Sequence, residues 1–489
     1  MSLPIDKALR KAQSHLKVGE TTEAKELYKQ VLSNFPKNKK AIQGYQKLKS
    51  GISFIGSSTT APPQEQLQEL INLHNQGQFE KVLSKVKPLV SLFPRAINLF
   101  NIQGASNAAL QRYDAAIDSY KQAIKIKPDY AEAYLNMGIA LKDCGDLEKA
   151  MNQYKKALRI KPDYFEAYLG LGVTLKSMGN LDASIESYKK AIKIKPDYAE
   201  AYSNMGNALR DKGEIEAAID SYKQAIKIKP DYADGHWNLS GTSADITEAK
   251  NWLIKCLKSD DSFVTAELML AALNFYEGNE KDFNNLINSS LWDHPYTRSF
   301  SWVFSLPELP KLHFNRWNLF DFIAEGAIKS RPFYEYGVWR GEAFKYLIKT
   351  FKKGYGFDTF EGLPEDWHAE KAGTYSSDGN IPKIDGGEFI VGKFEDTLPE
   401  FFSVQRPMAS VINFDADLYS STICALNYSK PVMDTNTILV FDEFLINAHW
   451  EEDEYKALEE FCSENNFSYE VLAVSFFTKQ VAVKLIKDD

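Results

Sequence analysis

The sequence predicts two architectures in one chain. An all-α solenoid of helical pairs fills the first half, and an α/β domain with a seven-stranded, mostly parallel sheet follows. Three observations carry this. The stretch YKQAIKIKPDYA occurs twice, at 120–131 and 222–233, an offset of 102 residues. KPDY recurs between the copies, its proline standing at 128, 162, 196 and 230, every 34 residues. From about 331 the helical period gives way to short apolar runs alternating with amphipathic stretches, as strands joined by crossover helices require.

In chain order, residues 5–38 keep Gly19, Ala24, Tyr28 and Pro36 in the register of the repeat. Within 1–49 they predict helices of the same repeat, partly detached from the rest. The stretch 50–62, rich in Ser, Thr and Gly, reads as a linker. The solenoid proper spans 63–290. Residues 63–96 retain Gly77 and Pro94, and 97–130 retain Phe100, Gly104, Ala116, Tyr120 and Ala123. The three units from 131 to 232 are the most regular. The last of them has Tyr202, Met205, Gly206, Leu209, Ala218, Tyr222, Ala225 and Pro230. Large residues three and four apart make one helical face, and Gly and Ala opposite them permit close approach. The proline ends the second helix because it cannot continue the hydrogen-bond ladder. A 34-residue helix–turn–helix period with these residues resembles the tetratricopeptide repeat.

After 232 the register slips. Ala249, Leu253 and Cys256 match a second helix only if three residues are deleted before them, and another helical pair follows at 266–289. Such departures suit units that cap a stack. Asn136, Asn204 and Asn238 share the sixth position of their units, with Gly170 and Ile102 interrupting the series. This resembles the asparagine ladder of O-GlcNAc transferases and implies a groove for a protein or peptide. The alternatives are a passive spacer or a surface for a homo-oligomer. Segment 291–330, rich in aromatics, reads as a connector that packs between the two halves.

In 331–489 seven strand candidates stand in order: FYEYGV, KGYGFDTF, GEFIVGKF, ASVINFD, NTILVFDEF, YEVLAVSF and KQVAVKLI. Ligands of such sheets sit at the carboxyl ends of the strands. Acids fall there: Glu335 before Gly337, Asp358 after the second strand, Asp415 and Asp417 after the fourth, Asp442 and Glu443 after the fifth. Single acids at strand ends are usually caps, but three strand ends together point to a site. A hydride-transfer loop would want G-x-G-x-x-G, and Trp339 breaks it; a P-loop would want GK[ST]. A loop for a ligand with a ribose but no pyrophosphate needs fewer glycines.

EYGVWRGEAF, GFDTFEGLPEDW, KFEDTLPEFF, FDADLYSST and LVFDEF occur in this order over about 330–485. Together they resemble the macrocin O-methyltransferase family of class I, Rossmann-like S-adenosylmethionine-dependent enzymes. The resemblance implies Glu335, Gly337 and Gly341 around the methionine end of S-adenosylmethionine, Asp358 on its ribose and Asp396 near its adenine. It implies Mg²⁺ held by Asp415, Asp442 and Glu443, with Glu443 standing where the family has a second aspartate. The implied acceptor is a sugar hydroxyl, a weak nucleophile that a hard cation could activate. His449 and His368 are candidate bases on loops. Every cofactor candidate lies after 330, so the α/β domain is expected to bind cofactor alone and the repeats to act on the acceptor. The competing reading is a repeat scaffold carrying an inactive methyltransferase-like domain.

Composition sets outer limits. A chain of 489 residues exceeds one core, and 44% apolar with 25% charged residues is ordinary for a globular protein. A net charge of −8 argues against nucleic acid. No apolar run predicts a membrane span, and MSLPIDKALRKAQSHLK shows no signal-peptide core. Cys144, Cys256, Cys424 and Cys462 are scattered without C-x-x-C spacing, so a cytoplasmic protein with reduced thiols is expected.

Overall fold

A computed structural model describes residues 5–17, 20–49 and 61–487. The expected linker, apart from its last two residues, and Gly19 lie outside the described residues. The chain divides into two compact units, Met1–Asp146 and Leu147–Asp489, so the division falls inside the repeats.

In the first unit the helices Ile5–Lys17 and Thr21–Asn34, Gln64–Asn75 and Phe79–Leu92, and Ile97–Ala109 and Tyr113–Ile126 form successive pairs. Ala24 and Tyr28 are buried, as the register of the first copy requires. A Cβ on Gly104 would lie 2.5 Å from the ring of Tyr120, so the small residue is what lets the paired helices close.

The second unit continues the pattern. Gly172 meets Tyr188, and Gly206 meets Tyr222, each with 2.5 Å between a virtual Cβ and the ring. The helices Leu181–Ile194 and Ile215–Ile228 stop just before Pro196 and Pro230. The slipped register after 232 comes from a shortened first helix, Ala233–Ser240, of 8 residues where Ala199–Asp211 has 13. The following helix, Ile246–Ser259, buries Ala249, Leu253 and Cys256 completely, as the deletion predicts. Val264–Tyr276 and Lys281–Ile287 complete the helical stack.

The rest of the unit is one mixed sheet of eight strands, not the seven expected. They are β1 (Lys311–His313), β2 (Phe333–Tyr336), β3 (Gly354–Asp358), β4 (Gly387–Val391), β5 (Val411–Phe414), β6 (Ile438–Phe441), β7 (Phe467–Ser475) and β8 (Val481–Lys487). The order is β1-β7-β8-β6-β5-β2-β3-β4. β8 runs antiparallel to both its neighbours and every other pairing is parallel. The extra strand comes from the connector. Its three residues are too few to show alternation, and pairing with the edge of β7 is what makes them a strand.

β2, β5 and β6 are buried at every residue, as expected of strands covered on both faces. An aromatic row crosses the carboxyl ends of these strands and of β3. Phe357, Tyr336, Phe414 and Phe441, one from each of four adjacent strands, stack in register with centroids 4.7, 5.5 and 4.9 Å apart. The residues that follow these rings are Asp358, Gly337, Asp415 and Asp442. The row is thus a rigid apolar floor whose next layer is polar.

The connector packs as its composition predicts. Phe304 stacks on Phe275 of the last repeat helices at 3.9 Å, and Phe300 lies 4.5 Å from Phe476 beyond β7. Trp302 sits among Phe444, Trp450 and Tyr455.

Candidate functional site at the strand ends

The topology reverses between β2 and β5. The chain runs outward from β2 to β3 and β4, then returns to β5 and β6. A crevice opens at such a point, at the carboxyl ends of the strands. The loop after β2 is held by its glycines. Gly337 has φ +90°, and a Cβ there would lie 1.8 Å from the carbonyl oxygen of Asp415. Only glycine fits. Gly341, φ +75°, sits at the start of the helix Glu342–Phe351. Between them Trp339 adopts φ +48°, a conformation an aromatic residue rarely takes. Asp358 stabilises it: its carboxylate accepts from the amide of Trp339 at 2.6 Å and from that of Phe360 at 2.6 Å.

Above this loop is a cavity of about 500 Å³. Of the residues expected at the site, Glu335, Gly337, Gly341, Asp358, Asp415 and Glu443 line it. Asp442 is buried just behind the wall. Asp396 does not line the cavity. The helix Phe394–Phe401 begins two residues earlier, so its first turn exposes Asp396 while Lys393, Phe394 and Glu395 line the wall. His449 is exposed and also outside the lining. Its ring stacks on that of His368 at 4.4 Å, and His368 Nε2 lies 2.9 Å from Asp453 Oδ2.

The cavity is not confined to residues after 330. Lys176, Gly179, Leu181, Arg210 and Asp211, from the ends of repeat helices and the turn at Gly179, form one wall. A Cβ on Gly179 would fall 2.6 Å from the Trp339 ring and 2.6 Å from Arg340 Cδ, so the tryptophan reaches from the loop to the repeat. Trp317 Nε1 donates to the carbonyl of Arg210 at 2.6 Å. Lys176 Nζ lies 2.6 Å from Asp211 Oδ2, and Arg210 Nη2 3.1 Å from its Oδ1. Burial opposes ionisation of Asp211, but these two cations hold its carboxyl below the ordinary range.

The acids after β5 and β6 are balanced by side chains that the motifs do not contain. Arg316, first residue of the helix Arg316–Gly326, donates to Asp442 Oδ2 at 2.7 Å, and Gln480 donates to its Oδ1 at 2.7 Å. Lys479 donates to Glu443 Oε2 at 2.7 Å, as does Asn447 Nδ2 at 2.7 Å. Among the described residues no three His, Cys, Asp or Glu side chains are grouped to hold a metal ion. The donor set expected for Mg²⁺ therefore does not fit it, because Arg316 and Lys479 stand against the oxygens a cation would need. Burial, then repulsion from Asp442, raises the carboxyls of Glu335 and Asp415 well above the ordinary range. For Asp417 burial is followed by Glu443.

Four buried polar atoms on lining residues have no partner within the chain: Glu335 Oε2, Asn315 Nδ2, Arg340 Nε and Trp367 Nε1. Buried polar groups are ordinarily satisfied, so an acceptor and three donors around one cavity mark a place for a polar ligand. Sequence reasoning missed Asn315, Arg316, Lys479 and the repeat wall. The one local signal was Asn315 as a helix cap: it accepts from the amide of Asn318 at 3.0 Å.

Comparison with known proteins identifies the repeats. A TPR repeat model matches residues 106–143, 140–179, 174–209 and 206–240, and a second tetratricopeptide model matches 8–38. The chain therefore carries tetratricopeptide repeats. Similar solved structures include MamA, at 27% identity over 33% of this chain and 95% of that chain, with a TM-score of 0.31. YrrB, described as a TPR protein with an unusual peptide-binding site, is 17% identical over 37% of this chain and 95% of its own, with a TM-score of 0.31. A thermophilic TPR protein of Thermus thermophilus is 20% identical over 37% of this chain and 97% of its own, with a TM-score of 0.32. No curated protein matches. Among the described residues no helix is long and apolar enough to cross a membrane.

Proposed function

We propose that the strand-end cavity binds S-adenosylmethionine and that the protein is an O-methyltransferase acting on a sugar hydroxyl, its repeats serving both as a cavity wall and as a surface for a protein or peptide partner. One observation carries the reading. Glu335 and Asp358 stand at the ends of adjacent parallel strands beside the Gly337 loop, and Glu335, a lining residue of a cavity of about 500 Å³, has a buried carboxyl oxygen with no partner in the chain. That volume is within the range of about 300–1,000 Å³ common for small-molecule pockets.

The residues fit the group. Glu335 can accept from an ammonium, which would also relieve the cost of its buried charge. Asp358 keeps acceptor capacity beyond its two amide bonds, enough for ribose hydroxyls. Gly337 keeps Cβ atoms away from the ligand. When bound, the cofactor supplies an electrophilic methyl on a sulfonium. Asp415, Asp417 and Glu443 line the same cavity and would orient the acceptor hydroxyl, while Trp339, Trp367 and Tyr375 exclude water from it. Sugar as acceptor follows from the motif resemblance. It is tested by incubating the chain with methyl-labelled S-adenosylmethionine and a lysate of the native host. A labelled glycan or glycoconjugate is expected; labelled protein side chains alone would overturn the acceptor class.

A second reading, a repeat adaptor whose α/β part does not turn over, is favoured by a separate feature. A concave pocket of about 370 Å³ on the repeats is lined by Glu200, Ser203, Asn204, Asn207, Asp234 and Asn238, among others. Asn238 Nδ2 already donates to Ser203 Oγ at 3.1 Å, whereas Asn204 is open to hydrogen-bond a peptide backbone.

A further inference from the structure

We infer that Arg316 and Lys479 are built-in counter-cations that take the place of a divalent metal at this cavity. The acids after β5 and β6 form a cluster that would repel itself if nothing balanced it. Asp442 has a partner on each oxygen: the Arg316 guanidinium at 2.7 Å and the Gln480 amide at 2.7 Å. Glu443 Oε2 takes the Lys479 ammonium at 2.7 Å, and that ammonium is pinned from its other side by Asn447 Oδ1 at 2.8 Å. Both cations line the cavity.

Their origin is informative. Arg316 comes from the connector and Lys479 from the turn between β7 and β8, so two elements outside the acidic motifs converge on them. Arg316 lines the cavity together with Asp415 and Glu443 of the sheet and Asp211 of the repeat wall, and its guanidinium donates to Asp442 Oδ2. A guanidinium is permanently charged and planar, so it neutralises without exchange and does not leave. Hard divalent cations need several convergent oxygens with no competing donor. Here the competing donors are covalently part of the chain. Arg316 and Lys479 are thus positioning residues: they fix the directions of the Asp442 and Glu443 carboxyls and leave the cavity indifferent to chelators.

The test uses the full chain and Mn²⁺ alone, read by electron paramagnetic resonance and calorimetry, so its outcome does not depend on the cofactor reading. The native chain is expected to bind no Mn²⁺ at the cavity. Arg316→Met with Lys479→Met, which keeps the apolar stems, is expected to gain Mn²⁺ affinity by about tenfold or more, and a further Asp442→Asn to abolish the gain. Lys479→Met alone serves as the milder variant if the double one melts. Native binding of Mn²⁺ that Asp442→Asn weakens would overturn the inference. So would a folded double variant that gains none.

Discussion

The two tyrosine-rich regions of this protein bury the same side chain to opposite ends. In the repeats Tyr188 and Tyr222 fill the space left by Gly172 and Gly206. In the sheet Tyr336 is one ring of a row whose next layer is Gly337, Asp358, Asp415 and Asp442. The first arrangement repeats because packing is all it must do. The second cannot repeat, because each strand end carries a different polar group, and the cavity above it leaves four polar atoms unsatisfied. The repeats hold structure in many interchangeable contacts. The strand ends concentrate it in a few positions, Gly337 above all, where a Cβ would meet backbone.

That contrast can be broken most directly at Gly337. Gly337→Ala meets a backbone oxygen and adopts a left-handed conformation worth about 1–3 kcal/mol by itself. Loss of ligand binding and a large fall in Tm are expected. Gly278→Ala, where φ is +85° and no atom lies within 4 Å, is expected to cost about 1 kcal/mol. Equal effects would mean that the strand-end loop is no more constrained than a repeat turn. Tyr222→Ala should destabilise the second unit by about 3–5 kcal/mol, measured by urea denaturation, with cofactor affinity spared in the folded fraction. Affinity lost in proportion to stability would show that repeat packing and site geometry are one thing.

A smaller effect is expected at Glu335. Burial and Asp442 raise its carboxyl well above the ordinary range, so the folded chain keeps a proton that the unfolded chain releases. Stability contributed this way falls as pH rises from the ordinary carboxylate range toward neutrality. Glu335→Gln should flatten that slope between about pH 5 and pH 7 and leave the unliganded chain about 1 kcal/mol more stable at the upper end. His313, which burial pushes down to about 4, acts in the opposite sense over the acid range. It is common to both chains, so their difference isolates Glu335. Parallel pH profiles would transfer the effect to Asp415 and Asp417, whose carboxyls burial raises in the same way.

What the sequence made legible follows the same division. The 34-residue period, the Gly–Tyr pairs and the terminating prolines are local, so the repeats and the slip of register after 232 could be read from them, while the shortened helix behind that slip, Ala233–Ser240, could not. The strand-end glycines were legible because the turn after β2 leaves no room for a Cβ at Gly337, and the acids because they directly follow apolar strand runs. Illegible were the contacts made by partners far apart in the chain: Arg316 with Asp442, Lys479 with Glu443, Gly179 with Trp339. No spacing rule links residues 126 positions apart. Asp396 shows the same limit at close range, since a helix start two residues earlier turned it to solvent and brought Glu395 to the wall.

Calorimetry of the full chain with S-adenosylmethionine, alongside Glu335→Gln and the repeat-groove variant Asn204→Ala, tests most directly whether Glu335 and the Gly337 loop form a site for that cofactor. The account predicts one site per chain, affinity lowered about tenfold or more by Glu335→Gln, equivalent to about 1.4 kcal/mol, and unchanged by Asn204→Ala. A well-folded native chain that shows no binding, or binding that Glu335→Gln leaves untouched, would contradict it.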